Sequence, residues 1–186
     1  GVANFMISGF SSVADSALEN NTTITNVHIG NSVTSIGATA FNGTSNLSSV
    51  SFELDSLLNT IGEGAFFNAS ALTAIAIPDE VLSIGIGAFY DATSLSSITF
   101  GVNSILDNIG NDAFRNATSL TSIAIPDRVL SIGNTVFYNA SNLSSITFGV
   151  NSQLASIGVS AFRDTALTAI AIPDKVTSIG IGAFYD

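Results

Sequence analysis

The chain has 186 residues, 46% of them hydrophobic and 10% charged, with a formal net charge of −10. That apolar content excludes disorder, and no apolar run approaches the roughly 20 residues that a membrane-spanning helix needs. Four basic residues are too few to neutralise a phosphate backbone, which all but excludes nucleic acid and disfavours an anionic membrane surface. The absence of cysteine removes any disulfide framework or thiolate chemistry.

Residues 1–23 are the least regular. The opening Gly1-Val2-Ala3, without an initiating Met, reads as an excised or processed fragment. Ser12-Val13-Ala14-Asp15-Ser16-Ala17-Leu18 nevertheless overlays on Ser35-Ile36-Gly37-Ala38-Thr39-Ala40-Phe41. This segment is expected to be a degenerate first coil, or an end cap, with Met6 and Phe10 as core residues.

From Ile24 the register is firm. Coils open at Ile24, Leu47, Leu72, Leu95, Leu120, Leu143 and Leu167, with successive lengths of 23, 25, 23, 25, 23 and 24 residues. A fixed period of this size is the mark of a solenoid. Short coils carrying Ile-Pro-Asp alternate with long coils carrying Phe-Gly-Val-Asn-Ser, so the duplicated unit is a pair of coils. Asp186 falls mid-coil, so the seventh coil of 24–186 is expected to be truncated and further repeats to follow. The whole of 1–186 reads as one repeat domain.

Within a coil, Leu120-Thr121-Ser122-Ile123-Ala124-Ile125 ends in the alternation of a strand with one buried face. Pro78, Pro126 and Pro173 lack a donor and end that strand. A second short extended piece is expected around Val129 and Ile132, closed by Gly133. The glycine column it belongs to requires either a positive φ or a backbone too closely approached for a Cβ. One helical turn or tight bend follows, exemplified by Gly110 to Asn116. Phe41, Phe66, Phe89, Phe114, Phe137, Phe162 and Phe184 stack there as an internal aromatic spine. Val136, in place of the usual Ala, predicts a small misfit.

The pattern LxxIxIPxxVxSIGxxAFxxxxxL is similar to the BspA-like (Treponema pallidum-type) leucine-rich repeats from Ile24 to the last residue. The resemblance implies a right-handed solenoid, mainly β with short helical turns, and a parallel sheet along one side. It also implies an extracellular or cell-surface protein that adheres to other proteins, without catalysis or cofactor. The family usually has Cys three residues after the spine Phe; here those positions hold Thr44, Ala69, Ala92, Ala117, Ala140 and Thr165.

Chemistry-bearing constellations are sparse. His28, the only histidine, falls on the outward face of a strand and reads as a surface residue. Asp79, Asp127 and Asp174 form an ordered series, but alternate coils separate them by about 10 Å, too far to share a calcium ion. They read as solvated turn residues, and no metal is expected. Asn-x-Ser/Thr sequons begin at Asn20, Asn21, Asn42, Asn46, Asn68, Asn116, Asn139 and Asn142, which permits glycans in a secreted protein.

Two surfaces stand out. The strand face presents Thr73, Ala76, Ser96, Thr99, Thr121, Ala124, Ser144 and Thr147, suited to an extended partner or, if flat, to a periodic solid such as ice. The position after the spine Phe reads Asn42, Phe67, Tyr90, Arg115, Tyr138, Arg163 and Tyr185. Tyr90, Arg115, Tyr138, Arg163 and Tyr185 are expected to form an outward cation–π ladder and to be the candidate binding stripe. The expected function is a protein-interaction or adhesion module, with a purely structural or self-assembling segment as the alternative. Apolar surface at the cut end also predicts weak end-to-end self-association.

Overall fold

A computed structural model describes residues 3–186; Gly1 and Val2, where the processed-fragment reading begins, lie outside the described residues. Seven strands of four to six residues alternate with eight strands of two. The longer ones are β1 (Ala3–Ile7), β3 (Ile24–Ile29), β5 (Ser49–Phe52), β7 (Ala74–Ile77), β9 (Ser97–Phe100), β11 (Ser122–Ile125) and β13 (Ser145–Phe148). The two-residue strands are β2 (Ser12–Val13), β4 (Ser35–Ile36), β6 (Thr60–Ile61), β8 (Ser83–Ile84), β10 (Asn108–Ile109), β12 (Ser131–Ile132), β14 (Ser156–Ile157) and β15 (Ser178–Ile179). All ladders are parallel, so each coil advances the solenoid by one strand.

The two-residue strands form one unbroken sheet of eight, from β2 to β15. The longer strands do not. They divide into a five-stranded sheet, β1-β3-β5-β7-β9, and a separate pair, β11-β13. Short-to-long junctions are fully paired, four residues each from β7 to β9 and from β11 to β13. The long-to-short junction from β5 to β7 keeps only Ser49↔Ala74.

Proline removes one bond at each such junction. At a paired junction Gly101 donates its N–H to the Ile77 carbonyl at 3.3 Å, as Glu53 does to Ile29 at 2.8 Å. At a long-to-short junction the equivalent donor belongs to Pro78, Pro126 or Pro173, which have none. Gly30 stands at this place in its coil and does donate, to Ile7 at 2.7 Å. The two-coil sequence period is therefore also a period of backbone pairing.

The core is a single stack. Phe41, Phe66, Phe89, Phe114, Phe137 and Phe162 are fully buried, with successive rings 5.0–5.5 Å apart. Phe184 continues the stack at 5.3 Å but is 39% exposed, because no further ring covers its outer face. The spacings beside Phe137 are 5.5 and 5.4 Å, close to the 5.3 Å on either side, and Val136 is fully buried, so the misfit expected there does not stand out.

Two expectations require correction. Met6 and Phe10 are exposed, at 67% and 62%, while Ile7 and Val13 fill the first coil's core. The cause is register: β1 pairs with β3 through Phe5↔Val27, Met6↔His28 and Ile7↔Ile29, which turns Met6 outward with His28. No helical turn forms among the described residues. Every bend but the last instead holds two residues at positive φ, four apart, such as Asp112 (57°) and Asn116 (60°). Amides along the bend then alternate: Ala113 bonds back to Gly110, whereas Asp112 and Phe114 bond forward to Asn134 and Val136 of the next coil.

The glycine column takes one of the two forms expected of it. The column at Gly62, Gly85, Gly110 and Gly158 has no positive φ. An added Cβ would lie 2.5–2.7 Å from backbone of the preceding coil, nearer than a side chain tolerates. Close approach decides that position.

Candidate interaction surface

The bend that buries each spine Phe turns the next residue outward, and inter-coil hydrogen bonds hold successive bends in register. Tyr90, Arg115, Tyr138, Arg163 and Tyr185 therefore line up. The Arg115 guanidinium carbon lies 5.4 Å from the Tyr90 ring centroid and 4.6 Å from that of Tyr138. Arg163 sits 5.7 Å from Tyr138 and 4.8 Å from Tyr185. Tyr138 thus carries a cation on each face. Phe67 extends the line, stacking on Tyr90 at 4.8 Å with 11° between planes, and Asn42 donates to Glu19 Oε1 at 2.8 Å.

Ring faces and guanidinium faces cover one another, so the ladder presents edges to solvent: phenol rims and the N–H fork of arginine. All members but Phe67 and Tyr185 are half-buried. Arg115 also donates to Asp112 Oδ1 at 3.2 Å, an oxygen that accepts from Thr135 Oγ1 at 2.8 Å. Arg163 Nε lies 3.5 Å from Asp164 Oδ2, a charge contact without hydrogen-bond geometry. Burial lowers the Arg115 pKa, but the bond to Asp112 and the nearby Tyr90, Asp112 and Tyr138 outweigh it, so the net shift is upward. The guanidinium stays charged.

The repeat pattern matches the family model of the BspA type leucine rich repeat region in six copies, over residues 11–108 and 59–186. This chain belongs to the BspA-type leucine-rich repeat family. Among solved structures it is similar to the leucine-rich repeat protein of T. pallidum, at 26% identity and a TM-score of 0.76, over 88% of this chain and 76% of that one. It is also similar to a leucine-rich cell surface protein of Faecalibacterium prausnitzii, at 27% identity and a TM-score of 0.68 over 99% of this chain. The chain spans 45% of the length of that protein. The pneumococcal vaccine antigen PcpA, at 19% identity and a TM-score of 0.66 over 96% of this chain and 68% of that one, shares the fold. Curated proteins give no match.

In these BspA-type coils the positions of the family's usual cysteine are filled in two ways. Ala69, Ala92, Ala117 and Ala140 are fully buried. Thr44 and Thr165 close back on the carbonyls of Phe41 and Phe162 at 2.7 and 2.9 Å, which satisfies the hydroxyl inside the coil.

His28 is half-buried, with Nδ1 3.0 Å from Ser51 Oγ. Of the Ile-Pro-Asp carboxylates Asp174 is exposed, as expected of a solvated turn residue, but the other two are not merely solvated. Asp79 accepts from the Asn103 amide of the next coil at 3.3 Å, and Asp127 Oδ1 is buried without a partner. No three His, Asp or Glu residues among the described residues group as metal ligands.

The sequence reading missed the polar column beside the ladder. Asn116 Nδ2 donates to Asp91 Oδ1 at 2.7 Å and Asn139 Nδ2 to Asn116 Oδ1 at 3.0 Å. Its signal was available, because Asn and Asp recur where the bend requires positive φ. The same bonds bear on the sequons. Asn42, Asn46, Asn116, Asn139 and Asn142 all commit Nδ2, the glycan acceptor, to the neighbouring coil.

Proposed function

We propose that the chain is a protein-binding segment of a cell-surface adhesion protein, and that Tyr90, Arg115, Tyr138, Arg163 and Tyr185 form its contact stripe. The observation that carries this reading is the ladder: five Tyr and Arg side chains held in one outward line by the bends. Tyr and Arg supply much of the energy at protein interfaces, and these are ordered before any partner arrives. The cell-surface setting is supported by the F. prausnitzii structure, a leucine-rich cell surface protein.

The test is capture on an array of host extracellular-matrix and cell-surface proteins. Combined Arg115→Ala and Tyr138→Ala should abolish capture while the melting temperature moves little. Full capture with lowered stability would make the ladder a surface brace and overturn the reading.

The 186-residue chain is also proposed to associate weakly end to end. In its last coil Ile179, Ile181 and Tyr185 are 51%, 85% and 60% exposed. Light scattering that shows a strict monomer at high concentration would refute this.

A further inference from the structure

The lapses in the longer-strand ladder leave notches on the rim between the two sheets. The first, of about 700 Å³, is floored by Phe52, Ile77, Pro78 and Phe100 and walled by Leu54 and Leu57. The second, about 440 Å³, repeats it with Phe100, Ile125, Pro126 and Phe148, and the third, about 460 Å³, with Phe148, Ile172 and Pro173. Each lies two coils from the last. At the usual strand spacing that is about 10 Å, which an extended chain covers in three residues.

The long loops beside these notches expose apolar tips in the same period: Leu54 at 82%, Val102 at 98% and Val150 at 100%. Aliphatic groups this exposed gain from any partner that covers them. Charge identifies the partner. Glu53, Asp55, Asp79 and Glu80 rim the first notch, and no basic residue lines it. Asp127 lines the second. At the third, Lys175 accompanies Asp174.

We propose that this row is the docking groove for an extended, lysine- or arginine-bearing segment of a partner protein. The segment runs along the solenoid with cations three residues apart over the first two notches and an anchor in the Phe52–Phe100 notch. Apolar stems of the cationic side chains lie on Phe and Pro while their charged heads reach the acidic rim. The groove does not include the Tyr–Arg ladder, so the two surfaces stand or fall separately.

Fluorescence anisotropy with a labelled synthetic peptide tests this. One peptide carries lysine at every third position among leucines; its control has the same composition with the lysines clustered at one end. The first should bind roughly tenfold more tightly, and added salt should weaken it. Asp55→Asn with Glu80→Gln should cost about tenfold in affinity and flatten the salt dependence. Leu54→Ser should also weaken binding. All three side chains are exposed, so an unchanged thermal unfolding curve confirms intact variants. Arg115→Ala with Tyr138→Ala should leave peptide affinity unaltered. Equal affinity for both peptides, or wild-type affinity in the acidic variants, overturns the proposal. So does a dimer of this chain in sedimentation that Leu54→Ser dissociates, because the occupant would then be a second copy.

Discussion

The Asp79 carboxylate occupies the space that a Cβ on Gly101 would fill, one coil further along. Asp127 stands in the same relation to Gly149. The Ile-Pro-Asp coil and the Phe-Gly-Val-Asn coil are thus complementary, and the Asp of one specifies the Gly of the other. Gly101→Ala should cost about 1–3 kcal/mol through overpacking. Asp79→Ala in the same chain should recover much of that loss, a coupling that a double-mutant cycle in denaturant unfolding measures. Strict additivity would show that the two residues do not constrain each other.

Pro126 withholds a donor at the junction between β9 and β11. Pro126→Ala supplies the missing N–H and should let the Phe100 carbonyl accept it. Slowed hydrogen exchange at residue 126 relative to exposed loop amides is the expected sign. Exchange as fast as in the loops would assign the lapse to something other than proline.

Phe114, fully buried in the middle of the spine, should cost about 3–5 kcal/mol when replaced by Ala. Phe67, 36% exposed and one residue beyond the spine, should cost far less. Equal losses in chemical denaturation would reverse the assignment of inside and outside.

Asn116 combines positive φ with two inter-coil side-chain bonds. Asn116→Ala should lose roughly 2 kcal/mol from strain and unmade bonds, and Asn116→Gly should restore only the backbone share. Equal stability of the two variants would remove backbone conformation from the explanation.

Arg115 has its pKa raised in the folded chain. Stability from its charge is complete below the unfolded pKa and fades only as pH climbs through the folded value, in strongly alkaline solution. Thermal unfolding should show the same cost for Arg115→Ala at mildly acidic and neutral pH. A cost that appears only on one side of neutrality would point to a different partner.

Coil boundaries, the Phe spine and the alignment of Tyr90 to Tyr185 were legible in the sequence, because stacking turns a repeated residue into a column. The bend was not. Helical turns and paired positive-φ turns share the same short apolar spacing, and only the recurrence of Asn and Asp at the bend separates them. Met6 and Phe10 misled because the first coil has no repeat of its own type to fix its phase. The notches escaped notice for another reason: the prolines mark where a strand ends, but not that neighbouring coils part there.

The amides of this fold run along the solenoid, from strands to the coil before and from bends to the coil after. A protein drawn out by its two ends therefore loads those bonds in tension one coil at a time, as a zipper and not as a shear joint. Each coil of 23–25 residues would release about 80 Å of chain as it peels away. Under force the molecule would lengthen in small, regular yields, and the weakest seams would be the proline junctions.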